Sequence, residues 1–247
     1  MKPGDGKGKL TGLRDRVAIV TGATGGLGKV VTRDLAAGGA RLGLLGTRME
    51  RLEALAAELA LGPDRWMGQA VDLKDADATV SAIDAIVARF GHADILVHVV
   101  GGWSGGTTVR ETPLAEYTAM LDQHFWTTLH VSRALVPHLA AGGWGRIVAI
   151  SSPIASNPTA RMSAYAVGKA SQEALLATLA REVAGSGTTV NMLIVRTIDA
   201  DHVRDSDPTP RNASWTTPEE ISSALAYLLT EEAGVINGAR IPLYGGA

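Results

Sequence analysis

The middle of the chain holds three side chains whose types and spacing suit proton transfer. Tyr165 and Lys169 stand four residues apart, so on a helix they share one face. A free phenol has a pKa of ~10, and a nearby ammonium favours the phenolate and lowers that value. Such a phenol can give a proton to a substrate oxygen, or take one from it, near neutral pH. Ser152 lies 13 residues earlier, at the end of an apolar run, where its hydroxyl could polarise the same oxygen. A second constellation lies near the N-terminus, in Thr21-Gly22-Ala23-Thr24-Gly25-Gly26-Leu27-Gly28. Gly22 permits a tight turn off a strand, Gly26 lets backbone approach a pyrophosphate, and Gly28 lets the following helix pack close to the sheet. Thr24 and Leu27 fall within the same turn. Free N–H groups at the helix start would face phosphates, so the turn is expected to bind a nicotinamide dinucleotide.

The next apolar run ends in Leu45-Gly46-Thr47-Arg48, with no acid before Glu50. An acid there would accept bonds from an adenosine ribose and repel a 2′-phosphate, whereas Arg48 and the Thr47 hydroxyl can hold one. NADP(H) is therefore expected in preference to NAD(H), although Arg48 also suits a plain helix start. Asp72, followed by Leu73, is expected against the adenine, with helix capping as its other reading.

These residues need a scaffold that brings strand ends together. Strands are expected at Val17–Val20, Arg41–Leu45, Met67–Val71, Ile95–Val100, Arg146–Ser151, Thr189–Val195 and Ala239–Pro242. Helices are expected at Leu27–Ala37, Glu50–Leu59, Ala76–Phe90, Leu114–Ala140 (as one long helix), Ser163–Val183 and Pro218–Leu229. The alternation implies right-handed crossovers and an α/β fold: a doubly wound Rossmann fold with about seven parallel strands and helices on both faces. Residues 1–12 read as a flexible tail and residues 13–247 as one domain. Ligands in such sheets sit outside the carboxyl ends of the strands.

Composition narrows the function classes. The net charge is −2, from 23 basic and 25 acidic residues, so no nucleic-acid or anionic-membrane partner is indicated. The chain has no cysteine, which excludes disulfides, thiolate metal sites and thiol catalysis. No metal site is expected. Without a leader or a long apolar run, a cytoplasmic location is expected.

With the Gly turn, Asp72, Gly145-Arg146-Ile147-Val148, Ser151-Ser152, Tyr165 to Lys169, Val190-Asn191 and Asn237 to Pro242 considered together, the chain resembles the short-chain dehydrogenase/reductase family from about Leu13 to Gly246. The resemblance implies that Tyr165 is the proton donor or acceptor, that Lys169 binds the nicotinamide ribose and tunes Tyr165, and that Ser152 orients the substrate. It also implies a homo-oligomer, tetramer or dimer. Three motifs depart from the family. Its usual Asn-Asn-Ala-Gly is His98-Val99-Val100-Gly101, which keeps only the glycine that lets the cofactor approach. The Asn that usually joins Ser, Tyr and Lys is His124, read either as a proton relay or as a packed helix residue. The usual Pro-Gly is Val195-Arg196, followed by Thr197 and Ile198 beside the cofactor. Arg196 is expected to pair with a substrate or cofactor anion, or with Asp199 or Asp201.

Gly101 to Gly106, Gln123 to Thr127, Thr197 to Asp199 and Ser214 to Thr216 look like segments of dihydropteridine reductases, members of that family that act on a flat ring. Trp103, Trp126 and Trp215 could stack on such a ring or pack in the core. Ile154 and Met162 are expected to complete the substrate pocket, and residues 200–214 have the length of a lid. The expected partner is a small molecule, flat and cyclic if the tryptophans stack on it. The expected activity is reduction of a carbonyl or conjugated imine. A non-redox cyclase or dehydratase on the same scaffold is the alternative that the altered motifs keep open.

Overall fold

The computed structural model describes residues 12–244; of the tail expected at residues 1–12, all but the last residue lie outside the described residues. Seven parallel strands form one sheet in the order β3-β2-β1-β4-β5-β6-β7. They are β1 (Val17–Thr21), β2 (Arg41–Gly46), β3 (Trp66–Ala70), β4 (Ile95–His98), β5 (Gly145–Ser151), β6 (Thr188–Ile194) and β7 (Arg240–Pro242). The order reverses between β1 and β4, which opens a crevice at their carboxyl ends.

Strand β1 shows why the chain folds in three layers. Successive side chains point to opposite faces. Val17 and Ile19 join a core with Ile83 and Ile86 of α3 (Ala76–Phe90) and Leu135 further along the chain. Ala18 and Val20 join the opposite core, with Val31 and Leu35 of α1 (Gly26–Ala37) and Leu52 of α2 (Met49–Glu58). Both sets are buried, and each such aliphatic side chain contributes roughly 1.5–3 kcal/mol through burial. A strand buried on both faces has no polar side, which is why the apolar runs do not alternate.

The expected long helix is interrupted. It consists of α4 (Leu114–Leu121), a π-helical turn (Asp122–Trp126) and α5 (Thr127–Gly142). Widening one turn changes carbonyl pairing, and π turns of this kind frequently accompany functional sites. Here the hydroxyls of Thr127 and Thr128 donate to the carbonyls of Gln123 and His124, at 2.8 and 2.5 Å. On the same side of the sheet, α6 (Ser163–Glu182) carries Tyr165 and Lys169.

The expected lid contains a short helix, α7 (Val203–Ser206). The Asp199 carboxylate caps it, accepting from the N–H groups of Val203 and Arg204 at 2.8 Å each. Arg204 then donates to the Trp215 carbonyl and to Glu220 of α8 (Pro218–Leu228). The segment is thus tied to the domain at both ends.

Candidate active site

The strand register places the chemistry. Thr21 stands opposite His98, His98 opposite Ala149, and Ser151 opposite Ile194, so the ends of β1, β4, β5 and β6 open on one rim. Two cavities lie along it. One, of about 330 Å³, is lined by Thr24, Thr47, Asp72 and Leu73 among others. The other, of about 490 Å³, is lined by Trp103, His124, Tyr165, Lys169, Arg196, Thr197 and Ile198 among others. Both include Val99, Val100 and Gly101, so they form one elongated cleft.

Along the smaller cavity, whose lining includes Gly22, Thr24 and Gly25, the Gly22–Gly28 turn has the build of a phosphate cradle. Gly22 adopts φ +64°, a conformation that side chains disfavour. A Cβ on Gly28 would fall 2.1 Å from the Gly22 carbonyl oxygen, so only glycine allows this close approach. Helix α1 begins with neither a side-chain cap nor an acid in its first turn, and an uncapped, acid-free helix start offers N–H groups to an anion. These features fit a dinucleotide. Leu27 contributes only backbone there, since its side chain is buried in the core. Gly26 faces Ala200, whose Cβ would lie 3.1 Å from an added Cβ. Arg48 is exposed at the start of α2, next to Thr47. Asp72 is exposed, accepting from the Lys74 N–H at 3.1 Å and pairing with the Lys74 ammonium at 3.3 Å; Asp75, not Asp72, caps α3.

On α6, Lys169 is buried and donates to the Ile150 carbonyl at 2.8 Å and to Gln172 Oε1 at 3.0 Å. Burial pushes its pKa down to about 7, against an upward pull from Glu173. Tyr165 departs from expectation: its phenol lies above the ordinary value, because burial outweighs the hydroxyl of neighbouring Ser152, which pulls the other way. Removing the phenolate from water costs more than the surroundings return. Ser152 itself is buried at the start of the 3-10 turn Pro153–Ala155.

The two anomalous histidines differ. His98 is fully enclosed in a chain of polar groups that the sequence did not advertise. Gln172 Nε2 donates to Thr128 Oγ1 at 3.0 Å, and Thr128 gives its own proton to the His124 carbonyl. Thr128 Oγ1 can then only accept from His98, at 3.0 Å, so His98 carries its hydrogen on Nε2. His98 Nδ1 accepts from the Thr21 hydroxyl at 2.9 Å, and Thr21 accepts from the Val99 N–H at 3.3 Å. Every donor in this chain meets an acceptor. Burial, aided by Lys169, lowers the His98 pKa to about 3, so the ring is neutral. The signal for Gln172 was present in the sequence: it stands three residues after Lys169, on the same helix face.

His124, on the π turn, packs edge-on to Tyr165 with ring centroids 5.5 Å apart. Its Nε2 lies 3.1 Å from the Gly102 carbonyl, which can only accept, so Nε2 carries the hydrogen. Nδ1 is then a bare acceptor, buried and without a protein partner, on the side of Gly101. Burial and the charge of Lys169 hold this ring near pKa 3 as well.

The expected substrate pocket is only partly assembled. Trp103 and Arg196 line the larger cavity, while Ser152, Ile154, Met162 and Trp215 do not. Ile154 is buried in the turn after Ser152. Met162 packs against the Gly105 backbone, where an added Cβ would meet its sulfur at 2.4 Å. Trp215 is half-buried and takes part through its carbonyl. Trp126 lies 5.8 Å from the His130 ring and is 42% exposed, away from the cavity. Arg196 pairs with neither Asp199 nor Asp201; the Asp199 carboxylate caps α7 instead. Among the described residues no group of three or more His, Asp and Glu side chains could hold a metal ion, and no helix is long and apolar enough to cross a membrane.

Comparison with known proteins bears on the family and the fold. The family model described as short chain dehydrogenase matches residues 16–211. Acetoacetyl-CoA reductase of Cupriavidus necator is 30% identical over 244 residues, covering 95% of this chain and 98% of the relative. The 3-oxoacyl-acyl-carrier-protein reductase of Vibrio cholerae is 29% identical, with 95% and 98% covered. Among solved structures, NAD+-bound xylitol dehydrogenase superposes with a TM-score of 0.85 at 22% identity, covering 95% of this chain and 99% of that one. A short chain oxidoreductase from Pseudomonas aeruginosa, described as containing an atypical catalytic center, superposes at 0.83 with 25% identity, covering 95% and 97%. With the family match spanning most of its length and the fold shared throughout, the chain belongs to the short-chain dehydrogenase family of oxidoreductases.

Proposed function

We propose that this enzyme is an NADP(H)-dependent reductase of a carbonyl, or of a conjugated imine in a flat ring, with Tyr165 as the proton donor. The observation that carries the reading is the shared cavity wall of Tyr165 and Lys169, continuous with an uncapped Gly-rich helix start. A bound dinucleotide would supply hydride. Thr47 and Arg48, at the end of β2 with no intervening acid, would hold a 2′-phosphate, and Asp72 with Leu73 would border the adenine. Gly101, Thr197 and Ile198 would border the nicotinamide end, and the remaining Lys169 N–H would reach the ribose. Tyr165 would hold its proton at Oη until the substrate oxygen accepts it, with Ser152 orienting that oxygen. A raised phenol pKa keeps this proton at Oη, and a fully charged Lys169 ammonium would ease its release.

Trp103 on the cavity wall supports the flat-ring option, as do the segments that resemble dihydropteridine reductases. The reductase names of two relatives support a carbonyl. We also read the protein as a cytoplasmic homo-oligomer, tetramer or dimer, which light scattering on the purified protein would test. For the activity, the enzyme is incubated with NADPH or NADH and a panel of ketones and quinonoid rings, following loss of the reduced-cofactor absorbance. Turnover with NADPH on at least one compound is expected. Tight NADPH binding with no turnover would overturn the redox reading and favour the cyclase or dehydratase.

A further inference from the structure

Arg196 makes no ion pair among the described residues. It stands just after β6, and its side chain is exposed on the wall of the larger cavity. Among the described residues no carboxylate lies within ion-pair distance of it. Arg16, Arg33, Arg204 and Arg240 each pair with an acid; Arg196 shares its lack of an acid partner with arginines such as Arg48 and Arg161, and differs from them in lining the larger cavity. The guanidinium instead stacks over the Tyr244 ring, 4.9 Å from its centroid. Stacking holds the plane of the fork while leaving its N–H edge for another partner.

The rest of the wall points the same way. The lining contains two cationic side chains, Lys169 and Arg196, and no Asp or Glu. Asp199, three residues further on, is buried with both carboxylate oxygens accepting from the α7 N–H groups, so it does not form an ion pair with Arg196. An unpaired guanidinium beside a low-dielectric cavity attracts anions and matches a carboxylate or phosphate with two parallel bonds. Because about 490 Å³ must also hold the nicotinamide end of the cofactor, the remaining space suits a small molecule.

We propose that Arg196 is a specificity-determining residue that selects a small carbonyl substrate bearing an anionic group, a carboxylate or phosphate. This deepens the reductase reading and rests on it. The test uses a set of 2-, 3- and 4-oxo acids, each paired with its methyl ester. Wild-type enzyme, Arg196→Gln and Arg196→Lys are compared by kcat/KM, and by calorimetric binding of the same pairs to the enzyme loaded with oxidised cofactor. Wild type is expected to prefer the acid of at least one pair. Arg196→Gln is expected to lose about 10–100-fold of that acid-over-ester ratio, mainly in KM, and Arg196→Lys to keep part of it. Equal preference for acid and ester in wild type overturns the proposal, as does an unchanged ratio in Arg196→Gln. A loss that falls on cofactor affinity while the ratio stands would assign Arg196 to the cofactor phosphates and equally overturn it. Should no pair turn over, the calorimetric ratio still decides on Arg196, and the reductase reading fails separately.

Discussion

At the residue scale, Tyr165 and His124 make separable predictions. Removing the phenolic proton in Tyr165→Phe should lower turnover about 10²–10⁴-fold, with NADPH affinity retained; full activity would refute the mechanism. His124 is neutral, with a pKa near 3, so it cannot serve as an acid at neutral pH. As a relay it would have to accept at Nδ1, the buried atom that no protein group satisfies. His124→Phe should then reduce kcat tenfold or more while leaving the melting temperature within a few degrees, and His124→Asn should recover activity. A loss of stability with kcat preserved would make it a packing residue only. Arg48→Gln should weaken NADPH binding about tenfold or more and leave NADH binding unchanged, as measured by fluorescence titration.

At the element scale, the π turn and the strand rim are joined through one hydroxyl. Thr128 receives bonds from Gln172 and His98 and gives one to the His124 carbonyl. Thr128→Val keeps the shape and leaves two buried donors unmatched, so the expected cost is about 1–3 kcal/mol in urea denaturation. Because Gln172 would also lose its orientation toward Lys169, the pH profile of kcat should shift, which a purely structural defect would not produce. Gly28→Ala is expected to abolish dinucleotide binding, since the Gly22 carbonyl occupies the space of the new methyl. Isothermal titration with NADPH measures that directly.

At the scale of the whole molecule, buried bases govern stability against acid. His98 and His124 have folded pKa values of about 3 against an ordinary ~6.5 in the unfolded chain. Between those values the unfolded chain binds more protons, so stability falls as pH drops from ~6.5 toward 3, by up to roughly 1.4 kcal/mol per pH unit for each ring. Lys169, pushed to about 7, has the same sign in a higher window: the penalty on its buried charge is full below pH 7 and fades as pH rises toward the free lysine value of ~10.4. Thermal melts across pH 4–7 should show a steep acid slope in wild type that flattens in His98→Asn; an unchanged slope would mean that other groups control acid unfolding.

The amino-acid sequence by itself determined the strands, the crossovers and the Gly cradle. These depend on local rules, such as apolar runs of strand length, a glycine where a Cβ cannot fit, and two polar side chains one helical turn apart. Element ends shifted by a residue or two, because hydrogen bonding at a strand or helix terminus depends on what packs there. The π turn was not legible, since widening one turn leaves the apolar spacing of α4 and α5 intact. Only the tertiary structure decided that Lys169, Gln172, Thr128, His98 and Thr21 form one chain, because the members come from four elements far apart in sequence. It also decided which candidates face the cavity, taking Arg196 and Trp103 and leaving out Ser152, Met162, Ile154 and Trp215. Side-chain type says what a residue can do, but the direction of its Cα–Cβ bond and the burial of its neighbours decide whether it meets a ligand.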